Sequence, residues 1–329
     1  MTDAVPPVLE LRDLTVELPV RRGPWRRPVR IRPVDGVSLA VALGETVGLV
    51  GESGCGKSTL ARAAVGLWPA HAGSVRVDGR DLAALRGAEL RAARRLAQLV
   101  GQDPGGALDP RQTVGAALGE ALAVRAGGGP DGTAETRRLL EEVGLPPGAA
   151  AVRPHELSGG GRQRVAIARA LAVAPRVLIA DEPVSALDAP LRARVLNLLR
   201  EAQRRRGLGL LLIAHDPRLV ERLCARVAVM SLGRLVEVWP TGGGAAPRHP
   251  YTRALLAAAP TLAGALAAVA AGEAPAVPSP GEPPSFLAPP DGCPYAPRCA
   301  LVEEGCRRQI PPLVEIATGH LLRCPPAQR

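Results

Sequence analysis

An α/β fold with a largely parallel sheet covered by helices on both faces is what this sequence predicts, and three observations carry the prediction. Short apolar runs, TVGLV from Thr46, VLIAD from Val177 and GLLLIAHD from Gly209, are bounded by turns, the pattern of strands buried on both sides. Between them lie Arg- and Leu-rich segments of helical period, as expected where strands alternate with helices. A glycine-rich loop, GESGCGKST from Gly51, joins the first of these strands to a helical segment beginning at Thr59.

The elements follow in chain order. VLELRDLTVEL (Val8 to Leu18) alternates apolar and polar residues, and VDGVSLAVALG from Val34 does so less strictly. Both read as strands of an N-terminal antiparallel subsheet. The stretch between them, PVRRGPWRRPVRIRP, holds six arginines and several prolines and reads as a solvated loop. Residues 1–240 are expected to form one domain, with a helical subdomain at about 103–170. After Trp239 the composition shifts. Residues 241–292 read as a linker containing a helix over Tyr251 to Ala271 and then a Pro-rich stretch, and residues 293–329 as a small Cys-bearing lobe. Such a lobe cannot build a good core of its own and needs a staple.

Composition narrows the function. A chain of 329 residues with a formal charge of +10 raises nucleic acid as a partner, but the arginines are scattered. The chain has six aromatics, Trp25, Trp68, Trp239, Tyr251, Phe286 and Tyr295, too few for a base-stacking platform. No nucleic-acid partner is expected. No secretory signal is read in the first residues, so none is expected, and the Ala-rich stretch from Leu262 is too short to span a bilayer. Any membrane role is therefore expected to be peripheral.

The loop after TVGLV matches G-x-x-x-x-G-K-[ST] at Gly51, Gly56, Lys57 and Ser58, in the strand–loop–helix context this motif requires. Backbone N–H groups of Gly51, Glu52, Ser53, Gly54, Cys55, Gly56, Lys57, Ser58 and Thr59 would surround phosphate oxygens. A Cβ at Gly54 or Gly56 would obstruct the approach. Lys57 is the only lysine, the other 40 of 41 basic residues being arginine. A compact ammonium reaches β and γ phosphates from inside such a loop, and a planar guanidinium does not. Downstream, Asp181 and Glu182 stand at the end of an apolar strand. Asp181, with Ser58, would hold Mg²⁺, and Glu182 would polarise an attacking water. LSGGGRQR, from Leu157 to Arg164, sets Ser158, Gly159 and Gly160 at a second helix N-terminus ready for an anion.

These motifs, in this order, resemble the nucleotide-binding subunit of an ATP-binding cassette (ABC) transporter over residues 8 to about 240. The resemblance implies a P-loop NTPase fold of ABC type with an N-terminal β-subdomain, a helical subdomain and here a Cys-bearing extension. It implies ATP and Mg²⁺ as ligands and head-to-tail pairing, so that Leu157 to Gly161 act on the partner's ATP. It makes Gln102 the Q-loop residue contacting Mg²⁺, Ser185 to Asp188 the D-loop, and His215 the switch histidine that holds the γ-phosphate. Two departures stand out: Gly161 occupies the position of a signature glutamine, and Leu18 the position of an adenine-stacking aromatic. Either Trp25 substitutes for that aromatic or adenine packs on aliphatics.

RHPYTRALLAAAP from Arg248, GCPYAPRCALVEEGC and RCPP, with DPGGALDPRQTVG and RPHELSGG, resemble the ATPase subunits of oligopeptide and dipeptide permeases. That group implies a peptide cargo, or nickel or another small solute, at the cytoplasmic face of the membrane. It also implies a related second ATPase, two transmembrane permease subunits and an extracytoplasmic solute-binding protein. A soluble cassette ATPase without transport is the competing reading. Cys293, Cys299, Cys306 and Cys324 crowd the C-terminus without a C-x-x-C. Such a set suits a [4Fe–4S] cluster, the alternative being Zn²⁺.

Overall fold

The computed structural model describes residues 6–21, 27–103, 105–126, 132–185, 187–259 and 284–328. Strand β1 (Pro7–Val20) and strand β2 (Val29–Ala42) form a long antiparallel ribbon. Strand β2 starts five residues before the expected Val34, taking in part of the Arg/Pro stretch. It lies at the sheet edge, where a proline leaves no ladder bond unmade. Outward residues can be charged there: Arg30 and Arg32 both reach Glu17 across the ribbon. Residues 22–26, Trp25 among them, lie outside the described residues.

Strand β3 (Thr46–Val50) carries the chain into the core and ends at the glycine-rich loop, which opens helix α1 (Lys57–Ala64). Strand β4 (Ala72–Val77) returns to pair with β1, and β5 (Arg80–Asp81) with β4, giving a four-stranded sheet ordered β2-β1-β4-β5. Helix α2 (Gly87–Leu96) precedes β6 (Ala97–Val100). Helices α3 (Val114–Ala126), α4 (Gly132–Glu142) and α5 (Gly159–Ala172) then pack on one another.

Strand β7 (Val177–Asp181), helix α6 (Ala189–Arg206), strand β8 (Gly209–Ile213), helix α7 (Pro217–Leu223) and strands β9 (Arg226–Ser231) and β10 (Arg234–Pro240) complete the body. Strands β9-β3-β8-β7-β6 are parallel in that order. Every residue of β3, β7 and β8 is buried, because alternate side chains enter two cores. Leu178, Ala180, Leu210 and Leu212 face Leu118, Ile167 and Leu171. Val177, Ile179, Leu211 and Ile213 share the other core with Leu60, Ala64, Leu11 and Leu14. Continuous hydrophobicity is thus the signature of a sheet with no wet face.

The C-terminal extension joins this sheet. Helix α8 (Pro250–Ala258) is started by Pro250 and by the His249 side chain, which accepts from the Tyr251 N–H. The expected continuation to Ala271 falls largely in residues 260–283, outside the described residues, as does the Ala-rich stretch from Leu262. Helix α9 (Glu304–Arg308) precedes a hairpin of β11 (Val314–Ala317) and β12 (His320–Leu322). Strand β12 pairs with β10 through Glu237 and Val238. The lobe therefore draws its support from the main sheet, eight-stranded among the described residues. The fully buried Glu237 carboxylate accepts from the N–H groups of Arg248 (2.7 Å) and His249 (3.1 Å), and His320 Nε2 lies 2.9 Å from it. One buried acid so ties β10, the linker and the terminal hairpin together. Among the described residues no helix is long and apolar enough to cross a membrane.

Candidate functional site

The loop from Gly51 to Gly56 curls around its own lysine. Lys57 is 4% exposed, and its ammonium donates to the carbonyls of Gly51 (2.8 Å) and Glu52 (3.0 Å). Gly51, Gly54 and Gly56 have φ of +156°, +78° and +114°, conformations natural to glycine alone. A Cβ at Gly56 would stand 1.8 Å from the Pro33 carbonyl oxygen, so that glycine is needed for passage beneath β2. Gly54 meets no such wall within 4 Å, and its requirement is conformational.

A cleft of about 370 Å³ opens above this loop. Ser53, Gly54, Gly56, Lys57, Ser58, Thr59, Gln102, Glu182 and His215 line its polar side, and Leu18, Ile31, Pro33 and Phe286 its apolar side. Glu182 has φ of +52°, a strained conformation for a side-chain-bearing residue. The turn holds it there: its N–H donates to the Ile213 carbonyl (3.0 Å) and its own carbonyl accepts from Ser185. The result aims the carboxylate at His215, whose Nε2 lies 2.7 Å from Glu182 Oε1.

Asp181 sits deeper, and its carboxyl is raised above the usual range, first by burial, while a hydrogen bond from Ser58 works in the opposite direction. Its Oδ1 is buried with no hydrogen-bond partner. A buried carboxylate oxygen left open beside a hydroxyl fits a hard divalent cation such as Mg²⁺.

Leu157, Ser158, Gly159, Gly160 and Asp188 do not line this cleft. Ser158 caps α5 by accepting from the Gly161 N–H (3.1 Å), and Asp188 caps α6 by accepting from Leu191 (2.9 Å). A Cβ at Gly160 would stand 2.0 Å from Leu191, which explains that glycine by packing. The signature helix therefore presents its N-terminus elsewhere on the surface.

Sequence reading missed a second layer behind the phosphate loop. Arg298, 4% exposed, grips both carboxylate oxygens of Glu52 at 2.7 and 2.9 Å. The Glu52 N–H donates to Tyr251 Oη at 2.8 Å. Tyr251 packs on Tyr295, with ring centroids 5.3 Å apart, and Arg298 lies over the Tyr295 ring. The signal was present in RHPYTRAL and CPYAPRC, but nothing in the chain order says that these segments reach residue 52.

Cys293, Cys299, Cys306 and Cys324 are all unpaired thiols in one lobe. Cys324 is pushed up to about 11, first by burial and in smaller part by the other three thiols, which places the four within electrostatic reach of one another. Among the described residues, no group of three or more His, Cys, Asp or Glu is placed to hold a metal ion. The expected cluster or zinc centre is not assembled by this geometry.

Strand, phosphate loop and helix under a two-sided parallel sheet, with an acid pair at the neighbouring strand end, define an ABC-type P-loop ATPase cassette. Comparison with known proteins agrees. The family described as ABC transporter matches residues 34–185, and that described as oligopeptide/dipeptide transporter, C-terminal region, matches residues 244–306. The chain is 45% identical to a "probable peptide ABC transporter ATP-binding protein", y4tS, of Sinorhizobium fredii, over 98% of this chain and 90% of that one. It is 40% identical to the oligopeptide transport ATP-binding protein AppF of Bacillus subtilis, over 96% of each chain. A dimeric bacterial ABC transporter cassette, MJ0796, superposes with a TM-score of 0.62 at 29% identity, over 71% of this chain and 99% of that one. The chain belongs to the ATP-binding subunits of ABC transporters, in the oligopeptide/dipeptide group.

Proposed function

We propose that this chain hydrolyses ATP to drive a peptide importer, as one of two cassettes beneath two transmembrane permease subunits at the cytoplasmic face of the membrane. A related ATPase is its partner, and an extracytoplasmic binding protein delivers the peptide. The observation that carries the catalytic half of this reading is the Glu182–His215 contact at the mouth of the phosphate-loop cleft. Kinship with peptide-transport ATPases along the whole chain carries the choice of cargo.

In this reading Lys57 and the loop N–H groups hold the β and γ phosphates. Ser58, Asp181 and Gln102 would hold Mg²⁺, which would supply charge neutralisation for the phosphates. Glu182 orients and polarises the attacking water in line with the γ-phosphate, and His215 fixes that carboxylate and meets the γ-phosphate. The N-terminus of α5, at Leu157 to Gly160, closes on the partner's nucleotide, and Asp188 lies in the turn that adjoins it. We also propose the division at residues 240 and 292.

For the Cys lobe we propose a [4Fe–4S] cluster over zinc. Four cysteines crowded into a small C-terminal lobe without a C-x-x-C support that choice, because a cuboidal core tolerates wider ligand spacing than a single Zn²⁺. Iron and acid-labile sulfide in anaerobically purified protein would support the cluster, and their absence would remove it.

The test of the transport reading is uptake of a labelled oligopeptide by cells lacking the gene. Uptake returns with the wild-type chain and not with Glu182→Gln. Undiminished peptide uptake in the deletion strain would reject peptide as cargo and leave nickel or another small solute.

A further inference from the structure

The phosphate-loop cleft has a chemical polarity that assigns its two sides. Lysine, hydroxyls, amide and carboxylate gather over the loop, where a triphosphate belongs. Leu18, Ile31 and Pro33 from the β1–β2 ribbon form the other side. Opposite chemistry at one end of a nucleotide cleft marks where the base lies, because a purine is a flat, weakly solvated ring and gains from apolar or aromatic faces.

One aromatic lines this cleft among the described residues, and it comes from the far end of the chain. Phe286, the chain's single phenylalanine, belongs to the Pro-rich segment before the Cys lobe. A tight turn displays it. Ser285 bridges to Ala288, the Ala288 N–H donates to the Ser285 carbonyl (3.2 Å), and Ser285 Oγ accepts from the Leu287 N–H (3.2 Å). Phe286 is the first of the two residues at the turn's tip. Its side chain is half-buried, so it keeps accessible surface in the cleft.

The segment that carries it continues into the lobe clamped to the loop by Arg298 and Glu52. The ring is therefore positioned relative to the phosphates by the same lobe that grips the phosphate loop. Trp25, the aromatic that the sequence offered for this role, lies outside the described residues.

We propose that Phe286 is an adenine-binding residue of this ATPase: the C-terminal extension supplies the aromatic face for the base, and Leu18 and Ile31 supply an aliphatic bed. The extension thereby completes the nucleotide site instead of merely flanking it. The proposal rests on the reading of this cleft as the ATP site, and its test separates the two.

The full-length chain is titrated with Mg·ATP and with magnesium tripolyphosphate, which has the phosphates and no base. Binding of each ligand is read by calorimetric titration. Phe286→Ala should weaken Mg·ATP by about tenfold, the scale of one lost base–aromatic stack, and leave tripolyphosphate unchanged. Phe286→Tyr should bind both as wild type does. Adding Leu18→Phe to Phe286→Ala should restore part of the ATP affinity by offering a ring from the β1–β2 ribbon. Unchanged ATP affinity in Phe286→Ala overturns the proposal, because the base then lies elsewhere. Equal weakening of ATP and tripolyphosphate also overturns it, showing that Phe286 only supports the loop. If neither ligand binds the wild-type chain, the reading of the cleft itself fails and takes the proposal with it.

Discussion

Glu182 combines three properties rarely found together: a strained backbone, a buried carboxylate and a direct contact with a half-exposed imidazole. Strain of this kind persists only where neighbours over-determine it, here the Ile213 carbonyl and Ser185. Glu182→Gln keeps the shape and removes the base, so ATP binding should survive while turnover in the assembled transporter falls by about 10²–10⁴. Steady-state phosphate release checks this, and a near-normal rate would contradict the assignment. A second residue governs behaviour in acid. Burial pulls the His249 imidazole down to about 4 from an ordinary 6.5. The unfolded chain thus takes up this proton near pH 6.5 and the folded chain only near pH 4. The stabilising contribution of neutral His249 is complete above pH 6.5 and is lost as the pH falls through that window, about 3 kcal/mol in all. His249→Asn keeps an acceptor for the Tyr251 N–H. Urea melts between pH 7 and 4 should show a shallower loss of stability in that variant than in wild type.

At the scale of elements, the informative junction is where the C-terminal lobe meets the phosphate loop. The Arg298 side chain is buried against a partly exposed Glu52, and Glu52 also offers its N–H to Tyr251 and its carbonyl to Lys57. Removing the guanidinium leaves a carboxylate without its partner in a place of low exposure, a loss on the order of 1–3 kcal/mol. Arg298→Ala is expected to lower the thermal midpoint and weaken ATP and tripolyphosphate alike, because the loop itself loosens. Arg298→Lys should recover little, since an ammonium cannot make two parallel bonds. Calorimetric titration of both ligands distinguishes this behaviour from that of Phe286→Ala, which should spare the base-free ligand.

For the whole molecule, the position of the α5 N-terminus relative to the cleft matters. Ser158 to Gly160 do not line the chain's own phosphate-loop cleft, and on the proposed head-to-tail pairing their target is the partner's nucleotide. Ser158→Arg should abolish ATP turnover in the assembled complex through the partner's site. Mg·ATP should still bind this chain as it binds wild type, read by calorimetric titration. Loss of that binding would place the signature segment at its own nucleotide and contradict head-to-tail pairing. The cap lost with Ser158 costs only about 1 kcal/mol, which a helix with ten buried residues tolerates.

Much of this was legible in the linear chain because its determinants are local. A strand buried on both faces must be apolar throughout, as β3, β7 and β8 are. A loop that wraps phosphate needs glycines and one lysine at set offsets. An acid pair at a strand end follows from the strand itself. The start of β2 at Val29 was not legible, because an edge strand tolerates the arginines and prolines that elsewhere signal a loop. What only tertiary structure decided are the meetings between distant segments: Arg298 with Glu52, Tyr251 with the Glu52 N–H, β12 with β10, and Phe286 with the cleft that Leu18 and Ile31 line. Such contacts depend on where a sheet edge happens to be free and which buried charge lies within reach. Those are properties of the packed molecule, and no local spacing encodes them.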